Sequence, residues 1–262
     1  MAYTFISGAT GGIGKAFAVK CAKNNYDMFL TGRSYEKLSA LKQELLEINP
    51  NIKVEVCACS LTNELERKVM FTFMDKGEFK FERIINVAGV DIQKPFSEYT
   101  EDKVIMQIRV NVESTILLTH ALIKRGAPVK EILTISSMSG ATPMPYFALY
   151  SATKAMLTNF FTSLRIELKK QKVKVTTVLP GGVYTRPDIV NDIKGQGLWG
   201  KLSAKKPEFV VNKSFKALSK NKAVYIPGFF NKLLNFILKI TPKCISLRFI
   251  AGRWKKLRKD AF

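Results

Sequence analysis

Tyr150-Ser151-Ala152-Thr153-Lys154 places a phenol and an ammonium four positions apart at the start of a long helical pattern. Both side chains therefore emerge on one helix face. A phenol titrates near ~10 and exchanges protons poorly at neutral pH. A neighbouring ammonium favours the phenolate and lowers that value. A tyrosine so tuned exchanges a proton with a carbinol or a ketone. The pair gains meaning from Ile132-Leu133-Thr134-Ile135-Ser136-Ser137, a strand-like run ending in two serines 13 residues before Tyr150. Ligands bind at the carboxyl ends of strands in open parallel sheets. There the Ser137 hydroxyl can hydrogen-bond the substrate oxygen.

The elements that must position these groups follow from the hydrophobic pattern. Short apolar runs at Tyr3–Ser7, Met28–Thr31, Val54–Ala58, Ile84–Val87, Ile132–Ser136, Val173–Leu179 and Ala223–Ile226 read as buried strands. Helical patterns lie between them at Gly12–Lys23, Lys37–Ile48, Glu64–Lys76, Asp102–Arg125 and Tyr150–Gln171. This βαβ alternation predicts an α/β fold, a single Rossmann-type doubly wound parallel sheet of about seven strands with helices on both faces. Gly8, Thr10, Gly11, Gly12, Ile13 and Gly14 form a turn between the first strand and the first helix. Glycines let a pyrophosphate approach closely, and the helix N-terminus supplies free N–H groups. At the tip of strand two, Leu30-Thr31-Gly32-Arg33-Ser34 carries no acid for a ribose 2′-hydroxyl. Arg33 is instead placed to meet a 2′-phosphate. NADP(H) is therefore favoured over NAD(H).

With these residues in order, the chain resembles a classical short-chain dehydrogenase/reductase over roughly residues 3–230, in the branch of hydroxysteroid dehydrogenases and long-chain 3-ketoacyl reductases. The matching motifs are Gly8, Gly12 and Gly14; Asn86-Val87-Ala88-Gly89; Asn111; Ser137; Tyr150 with Lys154; and Pro180-Gly181 leading to Gly182-Val183-Tyr184-Thr185. The resemblance implies that Tyr150 is the general acid/base and Ser137 the partner of the substrate oxygen. It implies that Lys154 lowers the tyrosine pKa and binds the nicotinamide ribose, and that Asn111 holds a proton-relay water. Asn86, Ala88, Gly89, Pro180, Gly181, Val183 and Thr185 would line the cofactor, with Thr185 on the carboxamide. Ser60 stands where the family usually has an aspartate touching adenine.

The substrate region implied by the resemblance is apolar. Met138, Ser139, Met144, Tyr146, Gly182, Tyr184 and Trp199 are its candidate residues, with a glycine-containing lid at about 186–206. They point to a bulky hydrophobic alcohol or ketone, most plausibly a hydroxysteroid such as a steroid or bile acid. A 3-ketoacyl lipid is the alternative, and a non-catalytic nucleotide sensor or scaffold is the alternative of another class. The set Asn111, Ser137, Tyr150 and Lys154 weighs against a pure sensor.

The net charge of +21 is uneven: residues 1–100 are near neutral, while 201–262 carry 16 basic and 2 acidic side chains. A catalytic domain over 1–228 is followed by a basic amphipathic extension over 229–262. In the first part of that extension, Asn231, Lys232, Asn235 and Lys239 fall on a polar helical face. Three readings compete for it: peripheral membrane contact, a cover or oligomer interface (the resemblance implies dimers and tetramers), and nucleic-acid binding. The last is set aside because no recognised nucleic-acid module is present. His120 lies in an apolar helical stretch. Cys21, Cys57, Cys59 and Cys244 lack metal-ligand spacing, so no metal site is expected and the thiols read as free and buried. No signal peptide or ~18–20-residue apolar span is visible, which gives a cytoplasmic expectation, with peripheral membrane association through 229–262 left open.

Overall fold

Burial on both faces explains why the strands read as continuous apolar runs. The computed structural model describes residues 2–125, 129–185, 187–195, 197–255 and 259–260. The side chains at 187, 188, 192, 194, 198, 199, 259 and 260 are left outside that description. The chain runs β1 (Tyr3–Ser7), α1 (Gly12–Lys23), β2 (Met28–Gly32), α2 (Tyr35–Ile48), β3 (Val54–Ala58), α3 (Glu64–Lys76), β4 (Phe81–Asn86) and β5 (Ile92–Gln93). It continues through α4 (Glu101–Ile108), α5 (Ser114–Lys124), β6 (Glu131–Ile135), α6 (Ala148–Glu167), β7 (Lys174–Val178), α7 (Pro187–Gly195) and α8 (Gly197–Ser203). The last elements are α9 (Pro207–Ser219), β8 (Val224–Tyr225), α10 (Phe229–Ile240), α11 (Lys243–Trp254) and β9 (Lys259–Asp260).

Seven parallel strands form one sheet in the order β3-β2-β1-β4-β6-β7-β8. The order reverses beside β1, and a crevice opens there at the carboxyl ends of the strands. Ser7 ends β1 opposite Thr31 on one side and Asn86 on the other. One face buries Phe17, Leu38, Leu45 and Val211. The other buries Phe5, Phe29, Phe81, Leu118 and Phe161. The predicted α/β architecture is therefore the observed one.

Two expectations change. The helix predicted over 102–125 is two helices, α4 and α5, joined by a π-helical turn at Arg109–Glu113. The extra backbone residue lets the buried Asn111 side chain reach the loop after β4, a use of π-bulges common near functional sites. Three thiols lie in or against the core, but Cys244 is exposed on α11. Burial pushes the Cys21 and Cys59 thiols up to about 12.

The C-terminal elements pack back onto the domain. Asn231 is 1% exposed on α10. It donates to the Ser203 carbonyl at 2.9 Å and the Pro227 carbonyl at 3.0 Å. It therefore does not lie on a solvent-facing polar stripe, as helical periodicity had it. β9 pairs antiparallel with β5, Ile92 opposite Asp260 and Gln93 opposite Lys259. Among the described residues, no helix is long and apolar enough to cross a membrane. Replacing Asn231 by Ala would leave two carbonyls unpaired and should cost about 1–3 kcal/mol, read as a lower urea midpoint.

Candidate active site

A single cavity of about 720 Å³ runs from the glycine turn to the C-terminal helices. At its first end, Gly8 adopts φ +65°, and a side-chain carbon there would sit 2.8 Å from the Ala88 Cα. A carbon on Gly12 would sit 2.7 Å from Thr185 Cβ, so the loop after β7 lies over the turn. The N-cap of α1 is Gly11. It offers no side-chain cap, and the first turn carries no acid. The free N–H groups of α1 thus face the cavity with a positive dipole end, which suits a pyrophosphate. Gly8, Thr10, Gly11, Gly12, Ile13, Gly14, Arg33, Ser60, Ala88, Gly89, Pro180, Gly181, Val183 and Thr185 all line this cavity. These residues fit a bound dinucleotide.

Ser60 is fixed by its backbone, which donates to the Glu66 carboxylate at 2.7 Å, and its hydroxyl shares a hydrogen bond of 3.1 Å with Thr62. Lys37, in the first turn of α2, lines the cavity with Arg33 and was missed in the sequence. Its only signal was a position three residues after the N-cap Ser34, whose hydroxyl accepts from the Lys37 N–H at 3.2 Å.

Asn86 does not face the cavity. It is buried at the end of β4, donating to Thr119 at 3.0 Å and Thr134 at 3.3 Å. It ties β4 to α5 and β6. Asn111 is fully buried directly behind the cavity-lining Gly89, where a side-chain carbon would sit 3.3 Å from its Oδ1. Its Oδ1 accepts from the Val90 N–H at 2.8 Å, and its Nδ2 donates to the Val90 carbonyl at 2.9 Å and to Thr153 at 3.0 Å. That placement is a positioning role, holding the loop after β4 against α6.

Ser137, Tyr150 and Lys154 meet on the cavity wall. Ser137 caps the short 3₁₀ turn at Met138–Gly140 by accepting from the Ser139 N–H at 3.1 Å. Met138 N–H donates to the Pro180 carbonyl at 2.9 Å, which draws this turn to the loop after β7. The Lys154 ammonium is 3% exposed and donates to the Ile135 carbonyl at 3.1 Å, 5.8 Å from the centre of the Tyr150 ring. Burial lowers it to about 8, partly opposed by the charge of Asp91. Burial pushes the Tyr150 phenol well above its ordinary range, Asp91 raises it further, and a hydrogen bond with Ser137 draws it down. The sequence expectation of a lowered phenol is thus reversed here, because desolvation and Asp91 together outweigh the Ser137 hydrogen bond. Asp91, just after the asparagine motif, lines the cavity and acts electrostatically on both groups.

Of the expected substrate residues, Met138, Ser139, Met144 and Gly182 line the cavity. Tyr184 does not: Val183 bridges to Lys205 and points inward, so strand alternation turns its neighbour away. Tyr146 has a left-handed φ of 64° and lines a separate cavity of about 300 Å³. The Trp199 side chain lies outside the described residues. The far wall is instead built by Leu234 and Leu238 of α10 and Ile250, Arg253 and Trp254 of α11. The Trp254 ring lies edge-on to Phe147 at 5.6 Å, and Phe147 edge-on to Tyr150 at 5.5 Å.

Residues 2–192 match the family model described as short chain dehydrogenase. The chain belongs to the short-chain dehydrogenase/reductase family. That family uses NAD(P)(H). Among similar proteins is a very-long-chain 3-oxoacyl-CoA reductase of Vanderwaltozyma polyspora, 33% identical over 192 residues, 68% of this chain and 54% of the relative. Another is a sulfoacetaldehyde reductase of Chromohalobacter salexigens, 30% identical over 190 residues, 71% of this chain and 74% of the relative. The match thus spans about half the length of the first of these. A solved 7β-hydroxysteroid dehydrogenase structure shares the fold at TM-score 0.86 and 24% identity, covering 95% of this chain and 96% of that one.

The lowered Lys154 sets a pH signature. Between pH 8 and the ordinary lysine value near 10.5, the unfolded chain binds more protons than the folded one, so stability should rise with pH across that window. Below pH 8 the full cost of a buried ammonium remains. Lys154→Met should therefore be more stable than wild type at pH 7, by about 1–3 kcal/mol, with the gap closing towards pH 10.5. Urea melts at the two pH values measure this.

Proposed function

We propose that the protein interconverts a ketone and a secondary alcohol on a bulky hydrophobic substrate, with a hydroxysteroid as the substrate class and NADP(H) as the dinucleotide. The observation that supports this most strongly is the position of Tyr150. Its hydroxyl sits beside Ser137 at the head of a cavity whose far wall is Leu234, Leu238, Ile250 and Trp254. Such walls hold an apolar skeleton and exclude water from the reacting carbonyl.

Burial keeps Tyr150 as a neutral phenol, which is the proton-donating form. In the reducing direction Ser137 and Tyr150 would both donate to the carbonyl oxygen, and Tyr150 would release its proton as that oxygen gains charge. The phenolate left behind faces the Lys154 ammonium, which is charged at pH 7. A nicotinamide dinucleotide held along the glycine turn and Thr185 would supply or take up the hydride at the substrate carbon. Arg33 and Lys37 supply two cations at the adenosine end, where no carboxylate lines the cavity among the described residues. A 2′-phosphate fits that pair.

The second reading, a 3-oxoacyl thioester, is favoured by the relative named a very-long-chain 3-oxoacyl-CoA reductase. A panel of ketosteroids, oxo bile acids and 3-oxoacyl thioesters, followed by NADPH absorbance, separates the two. Turnover of the thioesters alone moves the assignment to the second reading, and turnover of none overturns both. Tyr150→Phe should lower turnover at least about 10²-fold with nucleotide affinity unchanged. Retained turnover removes Tyr150 as the acid. Arg33→Asp should shift the NADPH-to-NADH ratio of kcat/KM about tenfold or more towards NADH, and a wild type that prefers NADH overturns the cofactor reading.

A further inference from the structure

We infer that the outer face of α10, continued onto α11, docks on an anionic lipid bilayer. α10 has apolar side chains on two sides, and the cavity uses one. Leu234 and Leu238 point to the cavity wall, alongside the tethered Asn231. At 3.6 residues per turn, Phe229, Leu233, Phe236, Ile237 and Ile240 fall within a sector roughly 100° wide on the other side. Phe229 is 82% exposed, Ile240 66% and Phe236 60%. On α11, Ile245 and Phe249, four residues apart, are exposed as well. Soluble surfaces rarely leave such apolar area together unless something covers it.

Charge decides the occupant. Lys232 and Lys239 flank the apolar sector, and Lys243 and Arg248 continue the exposed cations onto α11. Residues 209–259 hold 13 basic side chains and no acid. In a two-fold dimer built on this face, the positive rim would meet itself. A bilayer bearing anionic headgroups takes both halves of the surface, the apolar sector into the acyl boundary and the lysines onto the phosphates. At 12 residues α10 is too short to span, so it lies in the interface plane. Phe249 both lines the cavity and is exposed, so a greasy substrate would enter from the lipid side. That last consequence rests on the proposed substrate class, whereas the docking does not.

The test is sedimentation of the full chain with phosphatidylcholine vesicles, with and without phosphatidylglycerol. Pelleting should be at least about tenfold greater with the anionic lipid and should weaken in high salt. The double variant Phe236→Glu with Ile240→Glu alters only exposed positions off the cavity. It should lose that binding about tenfold or more while keeping the circular dichroism spectrum and melting temperature of the wild type. If the double variant fails to fold, Lys232→Ala with Lys239→Ala, which spares the apolar sector, should still lower anionic-vesicle pelleting several-fold. No pelleting by the wild type, or equal pelleting on both vesicles, overturns the proposal. A wild-type dimer in analytical ultracentrifugation that Phe236→Glu splits, without vesicle binding, assigns the face to a second copy and also overturns it. None of these readouts depends on turnover, so a failed substrate assay and a failed docking remain distinct.

Discussion

The Lys154 ammonium is held out of water, and a charge in that position must be met by fixed dipoles or it unfolds its surroundings. It donates to the Ile135 carbonyl at 3.1 Å, the last residue of β6. The adjoining Ser136 hydroxyl donates back to the Lys154 carbonyl at 2.8 Å. These two bonds lock α6 to the end of β6, one turn from Tyr150 and beside Ser137. Thr153 extends the lock by accepting from Asn111, which grips both backbone groups of Val90. The ammonium's one bond and this neutral network together hold the strand, the helix, the π turn and the loop after β4 around Tyr150 and Ser137.

The same burial explains why the phenol sits high. Lys154 is buried and Tyr150 half-buried on the cavity wall, and desolvation acts on the two groups in opposite directions.

Much of this was legible in the sequence, and for stated reasons. β1 begins and ends where its apolar run does, because a strand buried on both faces reads as nearly continuous apolar residues, and the half-buried edge strand β3 keeps its expected bounds as well. Gly8, Ser137, Tyr150 and Lys154 were readable since their spacing is local to a turn or a helix. Asn86 was misplaced because a motif gives the position of a residue and not the direction of its side chain. At the end of β4 that direction is towards Thr119 and Thr134. Tyr184 failed for the related reason that a one-residue step in an extended segment reverses the face. The far wall failed differently. Periodicity shows that α10 is two-sided, but nothing in it says which side turns inward. The answer depends on Asn231 meeting the carbonyl of Ser203, 28 positions away, a contact set by tertiary packing, besides its local bond to the Pro227 carbonyl.

The edge-to-face run from Trp254 through Phe147 to Tyr150 has an optical consequence. The chain has two tryptophans, and one of them lies two ring contacts from the Tyr150 ring. Its indole emission falls where reduced nicotinamide absorbs. Resonance transfer between the two would then report nucleotide arrival and the seating of α11 over the cleft together, in a single unlabelled fluorescence trace.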